Sequence, residues 1–182
     1  MKVTTTPIEG VRLLEPRVFG DHRGFFLESW NKTTMVNAGI DADFVQDNHS
    51  RSGLGTLRGL HFQLQHPQGK LVRVARGAVF DVVVDIRRSS PTFGRWFGAE
   101  LSESNFRMLW APPGMAHGFL ALSETVDFLY KCTDYYHPEH ERVLQWNDVD
   151  VGIDWPLLAG AAPRLSARDA AGTPLARLEC FP

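Results

Sequence analysis

Short apolar stretches separated by turn residues, with almost no helical periodicity, run along this chain. Lys70 to Ala75 alternates and stops at Arg76-Gly77. Ala78 to Ile86 then sets Phe80, Val82, Val84 and Ile86 on one face and Val79, Asp81, Val83 and Asp85 on the other, because successive side chains of a strand point to opposite sides. The pattern predicts that these two runs pair as a hairpin. Further strands are predicted over Phe25 to Trp30, Phe44 to Asn48, Leu57 to Gln63, Arg95 to Leu101, Phe106 to Trp110, Gly118 to Leu122 and Val126 to Thr133. Helix signals are confined to a short piece after Asn31 ending at Gly39 and another after Ser166. No internal repeat interrupts the series. Eight or more antiparallel strands must close or stack to cover their edges, so the predicted fold is all-β, a jelly roll or small barrel with peripheral helices.

Length and charge narrow the function. The 182 residues suit one domain spanning 1–182, large enough to bury a core without staples. No apolar run approaches the roughly 18 residues of a membrane span; Ala78 to Ile86 comes nearest and is interrupted by Asp81 and Asp85. The start, Met-Lys-Val-Thr-Thr-Thr-Pro, lacks the apolar stretch of an export signal. Cys132 and Cys180 form neither a disulfide framework nor a Cys-x-x-Cys pair. A cytoplasmic protein with no membrane partner is expected. A net charge of −2 and a pI near 6.4 argue against a nucleic-acid partner, which needs clustered excess cations. Arg23, Arg51, Arg58, Lys70, Arg73 and Arg76 still leave room for local sites holding one or two phosphates.

A barrel interior that serves as a site mixes apolar residues with a few polar ones. In Leu57 to Gln63, strict alternation places His61 and Gln63 with Leu57 and Gly59, opposite Arg58, Leu60 and Phe62. His61 reads equally as a hydrogen-bonded structural histidine or as a base. Tyr130 shares a face with Val126, Phe128 and Cys132 and needs a partner for its hydroxyl, either backbone or substrate. For Asp169, the stretch Ser166-Ala-Arg-Asp169 favours a capping box at a helix N-terminus. Pro112-Pro-Gly-Met-Ala-His117 matches the second half-motif of the cupin barrels, whose histidine points inward. Metal-binding cupins supply His-x-His and a nearby glutamate from the first half-motif, whereas this chain has His61-Phe-Gln63 and no glutamate close behind. No metal is expected.

Seven segments, in order, carry a wider likeness: Asp21-His-Arg-Gly-Phe-Phe-Leu-Glu28, Gln46-Asp-Asn-His-Ser50, Arg58-Gly-Leu-His-Phe-Gln63, Gln68-Gly-Lys-Leu-Val-Arg73, Gly77-Ala-Val-Phe-Asp81, Pro112-Pro-Gly-Met-Ala-His-Gly-Phe119 and Leu129-Tyr-Lys-Cys-Thr-Asp-Tyr-Tyr136. Over nearly its whole length the chain resembles the dTDP-4-dehydrorhamnose 3,5-epimerases. The resemblance implies a homodimeric cupin, without metal or cofactor, that inverts C3 and C5 of a dTDP-linked 4-keto-6-deoxy sugar on the way to L-rhamnose. It implies His61 as general base, Asp169 as its carboxylate partner, Tyr130 as general acid, and Lys70 and His117 beside the reacting sugar. Arg23, Glu28, Gln46, Asp47, Asn48, Arg58, Glu141 and Arg168 match positions that hold the nucleotide or its diphosphate, Gln63 joins the substrate-binding set, and Phe26 and Tyr136 are expected to stack on the base. Leu64-Gln-His-Pro-Gln68 is about one residue shorter than usual in the family, Phe62 stands where a tyrosine is common, and Arg168 where a lysine is common.

The implied chemistry suits these residue types. C3 and C5 both flank the C4 ketone, so one enolate strategy serves both: a base on one face, an acid on the other, and a cation at the oxygen. Histidine is the side chain whose ordinary pKa leaves it mostly neutral, and so basic, in the cell. Three other readings share some of these features: an epimerase acting at C3 or C5 alone or on another nucleotide-linked 4-keto sugar, a metal-dependent cupin enzyme, and a non-catalytic sugar-nucleotide binder.

Overall fold

The computed structural model describes all residues 1–182. Its strands are β1 (Lys2–Thr5), β2 (Arg12–Glu15), β3 (Val18–Asp21), β4 (Gly24–Leu27), β5 (Gln46–Ser52), β6 (Leu57–Gln63), β7 (Lys70–Arg76), β8 (Ala78–Asp85), β9 (Trp96–Ser102), β10 (Met108–Ala111), β11 (Met115–Ala121), β12 (Val126–Cys132) and β13 (Glu141–Val143). Two short helices, α1 (Lys32–Asn37) and α2 (Ala167–Ala170), start at Asn31 and Ser166, whose side chains accept hydrogen bonds from the first-turn amides. All strand pairing in the sheets is antiparallel, in the orders β1-β2-β10-β7-β12-β5 and β13-β6-β11-β8-β9, with β3–β4 a separate hairpin. The expected all-β jelly roll is the architecture found.

The core lies between the two sheets. Val72, Val74, Leu109 and Phe128 from one pack against Val79, Val83, Leu101, Met115 and Phe119 from the other. The opposite face of the five-stranded sheet is covered as well: Leu60, Val82, Val84 and Leu120 meet Leu144, Val151, Trp155, Leu175 and Leu178 from the C-terminal quarter. This double burial explains why Ala78 to Ile86 is apolar on both faces. On the outside of the six-stranded sheet, α1 delivers Met35 to Leu14, Leu71 and Met108.

Two expectations are corrected. β7 and β8 are adjacent in sequence yet do not pair: β7 lies between β10 and β12 in one sheet, and β8 between β11 and β9 in the other. Gly77, at φ +76° with Thr125 O only 2.3 Å from where a Cβ would stand, turns the chain from sheet to sheet instead of closing a hairpin. The second correction concerns β6. Leu57, Leu60 and Phe62 face the outer core, while Arg58 and His61 both line the inner cavity. Alternation fails at Gly59, where φ is +128° and the pairing with β11 slips between His117 and Phe119. A side chain there would collide with Gly118 Cα at 2.6 Å. The bulge thus puts two residues three apart on one face.

β1, β2, β3 and β13 escape the periodicity argument. β1 is exposed throughout and β13 is three residues long, so neither has a face to betray it.

Candidate active site

Both sheets contribute to one cavity, lined by polar and apolar side chains together. Arg58 and His61 of β6 and His117, Gly118 and Phe119 of β11 come from one sheet. Lys70 of β7, Ser50 of β5, and Phe128 and Tyr130 of β12 come from the other. The slip at Gly59 aims His61 inward, and the regular alternation of β12 does the same for Tyr130.

His61 is anchored from behind. Its Nε2 lies 2.6 Å from Asp169 Oδ1, which also accepts the Gly59 N–H at 3.3 Å. Ser166 Oγ donates to Asp169 Oδ2 at 2.7 Å and accepts from the Asp169 amide at 3.1 Å. Burial alone would push the Asp169 carboxyl up, but the hydrogen bonds from His61 and Ser166 outweigh it and hold the group at about 2. Asp169 is therefore ionised and able to orient His61 and stabilise its protonated form. The reading of Ser166–Asp169 as a helix-capping pair and its reading as the support of His61 both hold, because α2 packs its first turn against β6.

A second histidine–carboxylate pair stands across the cavity floor. His117 Nε2 is 3.0 Å from both oxygens of Asp81, whose carboxyl is fully buried and pushed up by that burial against the pull of His117 and Lys70. Lys70 is lowered by desolvation, with the charges of Cys132 and Asp81 opposing the shift and no protein hydrogen bond contributing. Its ammonium is free to meet a ligand's oxygen. Burial also raises the Tyr130 phenol, so the hydroxyl keeps its proton.

A polar cluster gathers several of the other expected residues. Tyr136 donates from its hydroxyl to Glu141 Oε2 at 3.0 Å and accepts from Arg168 Nη1 at 3.2 Å, while Arg168 is ion-paired with Glu141. The Tyr136 amide donates to Gln46 Oε1 at 3.0 Å, and Gln46 donates in turn to Asn48, which reaches Cys132 Sγ. Arg58 Nε is held by Ser52 Oγ at 2.9 Å.

Other expected residues lie elsewhere. Gln63 does not line the cavity: its Nε2 donates to His66 O and Tyr135 O and its Oε1 accepts from His137 N, so the amide is committed to holding two loops. Asp47 pairs with Lys131 away from the cavity, and Glu28 is bound by Asn31 and Thr34 at α1. Arg23 and Phe26 stand on the exposed β3–β4 hairpin, Arg23 paired only with Asp21. Sequence reasoning assigned no role to Ser50 or Asp81 and read Ser166 only as a helix cap. Asp81 was detectable as the one carboxylate between Val79 and Val83 on the inner face of β8. Ser50 Oγ is the one buried side-chain polar atom without a hydrogen-bond partner, and it borders the cavity.

An all-β sandwich enclosing an anchored histidine, a protonated phenol and an unpaired lysine on facing walls defines a cupin-type enzyme that moves protons on a small molecule. Comparison with known proteins identifies the group: the sequence profile of the dTDP-4-dehydrorhamnose 3,5-epimerases matches residues 5–177. The dTDP-4-dehydrorhamnose 3,5-epimerase of Pseudomonas aeruginosa is 56% identical over 183 residues, covering 100% of both chains. A structure of dTDP-6-deoxy-D-glucose-3,5-epimerase from Legionella pneumophila, in complex with dTDP-4-keto-L-rhamnose, superposes with a TM-score of 0.93 at 51% identity, over 98% of this chain and 94% of that one. A 3'-monoepimerase from Streptomyces bikiniensis, in complex with dTDP-quinovose, is more distant, at 34% identity and a TM-score of 0.87 over 94% and 86% of the chains. The chain belongs to the dTDP-4-dehydrorhamnose 3,5-epimerase family, and it is an isomerase.

Proposed function

We propose that the protein inverts both C3 and C5 of dTDP-4-dehydro-6-deoxy-D-glucose, giving dTDP-4-dehydro-L-rhamnose, with His61 as base and Tyr130 as acid. The observation that carries this is the pairing of His61 with ionised Asp169 on one wall, opposite Tyr130 and Lys70 on the other. His61 takes the proton from the carbon beside the ketone, and Asp169 stabilises the imidazolium that forms. Lys70 meets the charge developing on the C4 oxygen, with His117 as a second donor held by Asp81. Tyr130 returns a proton from the opposite face, which inverts the centre. No electron changes hands.

The dTDP moiety is assigned to Arg58 and to the cluster of Gln46, Asn48, Tyr136, Glu141 and Arg168. Arg23, Phe26 and Glu28 serve the substrate only from a second copy. Phe19, Phe25 and Phe26 stand 51%, 62% and 68% exposed on a hairpin with no partner sheet, which supports a homodimer in which each hairpin covers the other subunit's cavity. Sedimentation at the mass of a single 20.4 kDa chain would sink the dimer. A cytoplasmic location is part of the proposal, in keeping with two unpaired cysteines.

The deciding experiment is turnover of the 4-keto sugar nucleotide in heavy water. Deuterium is expected at both C3 and C5; label at one centre alone would make the protein a mono-epimerase, and label at neither would remove the epimerase reading. Tyr130→Phe is expected to keep exchanging deuterium while product formation falls by about 10²–10⁴, because deprotonation outlives the loss of the acid.

A further inference from the structure

The loops that follow β6 and β12 carry side chains for which the reaction has no use. His66 on the first loop and Asp134 and His137 on the second offer ligand atoms that all lie within 4.8 Å of one another. His66 Nδ1 is 3.4 Å from Asp134 Oδ2, and the rings of His66 and His137 stack at 4.3 Å. Glu139 stands beside them, its Oε1 3.5 Å from His137 Nδ1, as an outer carboxylate of the kind that orients a metal-bound imidazole.

The scaffold behind this group is fixed. Gln63, 3% exposed, donates to His66 O at 2.7 Å and to Tyr135 O at 3.1 Å and accepts from His137 N at 2.7 Å, so one buried amide grips both ligand-bearing loops. His66 is held at φ +55°, a left-handed conformation uncommon for a residue with a Cβ. Two imidazoles and a carboxylate form the mixed nitrogen and oxygen set that suits zinc and its neighbours rather than magnesium or calcium. Tetrahedral zinc with bonds near 2.1 Å separates its ligand atoms by about 3.4 Å. With all three within 4.8 Å of one another, the widest spacing closes to that value by at most about 1.4 Å, through rotation of one exposed and two half-buried side chains.

We infer that His66, Asp134 and His137 bind one zinc-class divalent cation, which ties the loop entering β7 to the loop leaving β12. The cation is structural, since none of the three lines the cavity. It stands apart from His61 and His117, which line the cavity.

The test is zinc titration of the untagged, chelator-stripped chain, followed by calorimetry, with cobalt(II) as an optical probe. One saturable equivalent of zinc is expected, with visible cobalt bands and no uptake of magnesium. His66→Ala and His137→Ala should each weaken zinc by roughly 100-fold or more, because even the outer partners of a metal ligand are worth about 10–100-fold; His140→Ala should change it little. His66→Gln serves in place of an alanine variant that misfolds, and retained epimerase turnover certifies the fold of each variant. Failure of the wild-type chain to take up zinc saturably, or uptake that survives substitution of both His66 and His137, overturns the inference.

Discussion

Two histidine–aspartate pairs border the same cavity, and they are built on opposite principles. His61–Asp169 is partly open: the His61 side chain is 28% exposed, and its carboxylate is further satisfied by Ser166 and the Gly59 amide. His117–Asp81 is sealed at 8% and 0% exposure, and its carboxyl group has His117 as its one side-chain hydrogen-bond partner. The same two side-chain types therefore end with their carboxyl groups shifted in opposite directions, Asp169 down and Asp81 up. What differs is the count of hydrogen bonds to the ionised form set against burial. A carboxylate stabilised by several donors can support a proton arriving on its histidine. One kept by a single partner in a dry site serves to orient.

Substituting His61 or its carboxylate Asp169 should break the comparison most sharply. His61→Ala is expected to lower product formation by about 10⁴ and to stop deuterium exchange at C3 and C5, because proton removal has no substitute group. Exchange at the wild-type rate in that variant would move the base elsewhere. Asp169→Asn keeps the shape but removes the charge that stabilises the imidazolium, so kcat should fall by about 10²–10³ with KM little changed. An equal fall in kcat/KM arising from KM alone would make Asp169 a binding residue.

On the sealed side the effects should be smaller. His117→Ala removes one donor to the C4 oxygen, expected to cost about 10² in kcat. Asp81→Asn leaves His117 a hydrogen-bonding neighbour and should cost only about tenfold, since it disturbs orientation rather than charge in the reaction. Steady-state kinetics of the two variants together settle the order: an Asp81→Asn loss as large as that of Asp169→Asn would mean that the pairs are equivalent.

How much of this was legible beforehand depends on periodicity. The inner face of β12 could be read residue by residue, because Val126, Phe128 and Tyr130 alternate without interruption in the folded sheet. The face of Arg58 could not, since the slip at Gly59 has no signature beyond a glycine. Nor could the corner at Gly77, where two well-formed strands that invite pairing are sent to different sheets. Asp169 illustrates a further limit: the local pattern Ser166-Ala-Arg-Asp169 names the helix cap correctly, while its second use depends on β6, more than a hundred residues earlier in the chain. Of the exposed aromatic hairpin only the second strand was readable, and its lack of a neighbouring sheet is a property of the whole fold rather than of the segment.

The last difference between the pairs is their bearing on stability, and its sign separates them. Asp169 titrates at about 2 in the fold against 3.8 for a free aspartate, so it stabilises the folded state above pH 3.8, and that contribution is lost as pH falls toward 2. Its full size is about 2 kcal/mol, of which about half is gone at pH 3. Asp81 is raised, so the folded state holds its proton longer than the unfolded chain does, and stability falls as pH rises from 3.8 through its folded value. Urea unfolding at pH 7, 4 and 3 should show Asp169→Asn less stable than wild type by about 2 kcal/mol at pH 7, a gap that narrows by about 1 kcal/mol at pH 3. Asp81→Asn should move the other way, comparing more favourably with wild type at pH 7 than at pH 3, because it removes a carboxylate whose ionisation the fold opposes. Parallel pH profiles for the two variants would show that the pairs share one electrostatic design, and with it the separation of the stabilised base from the oriented donor would fail.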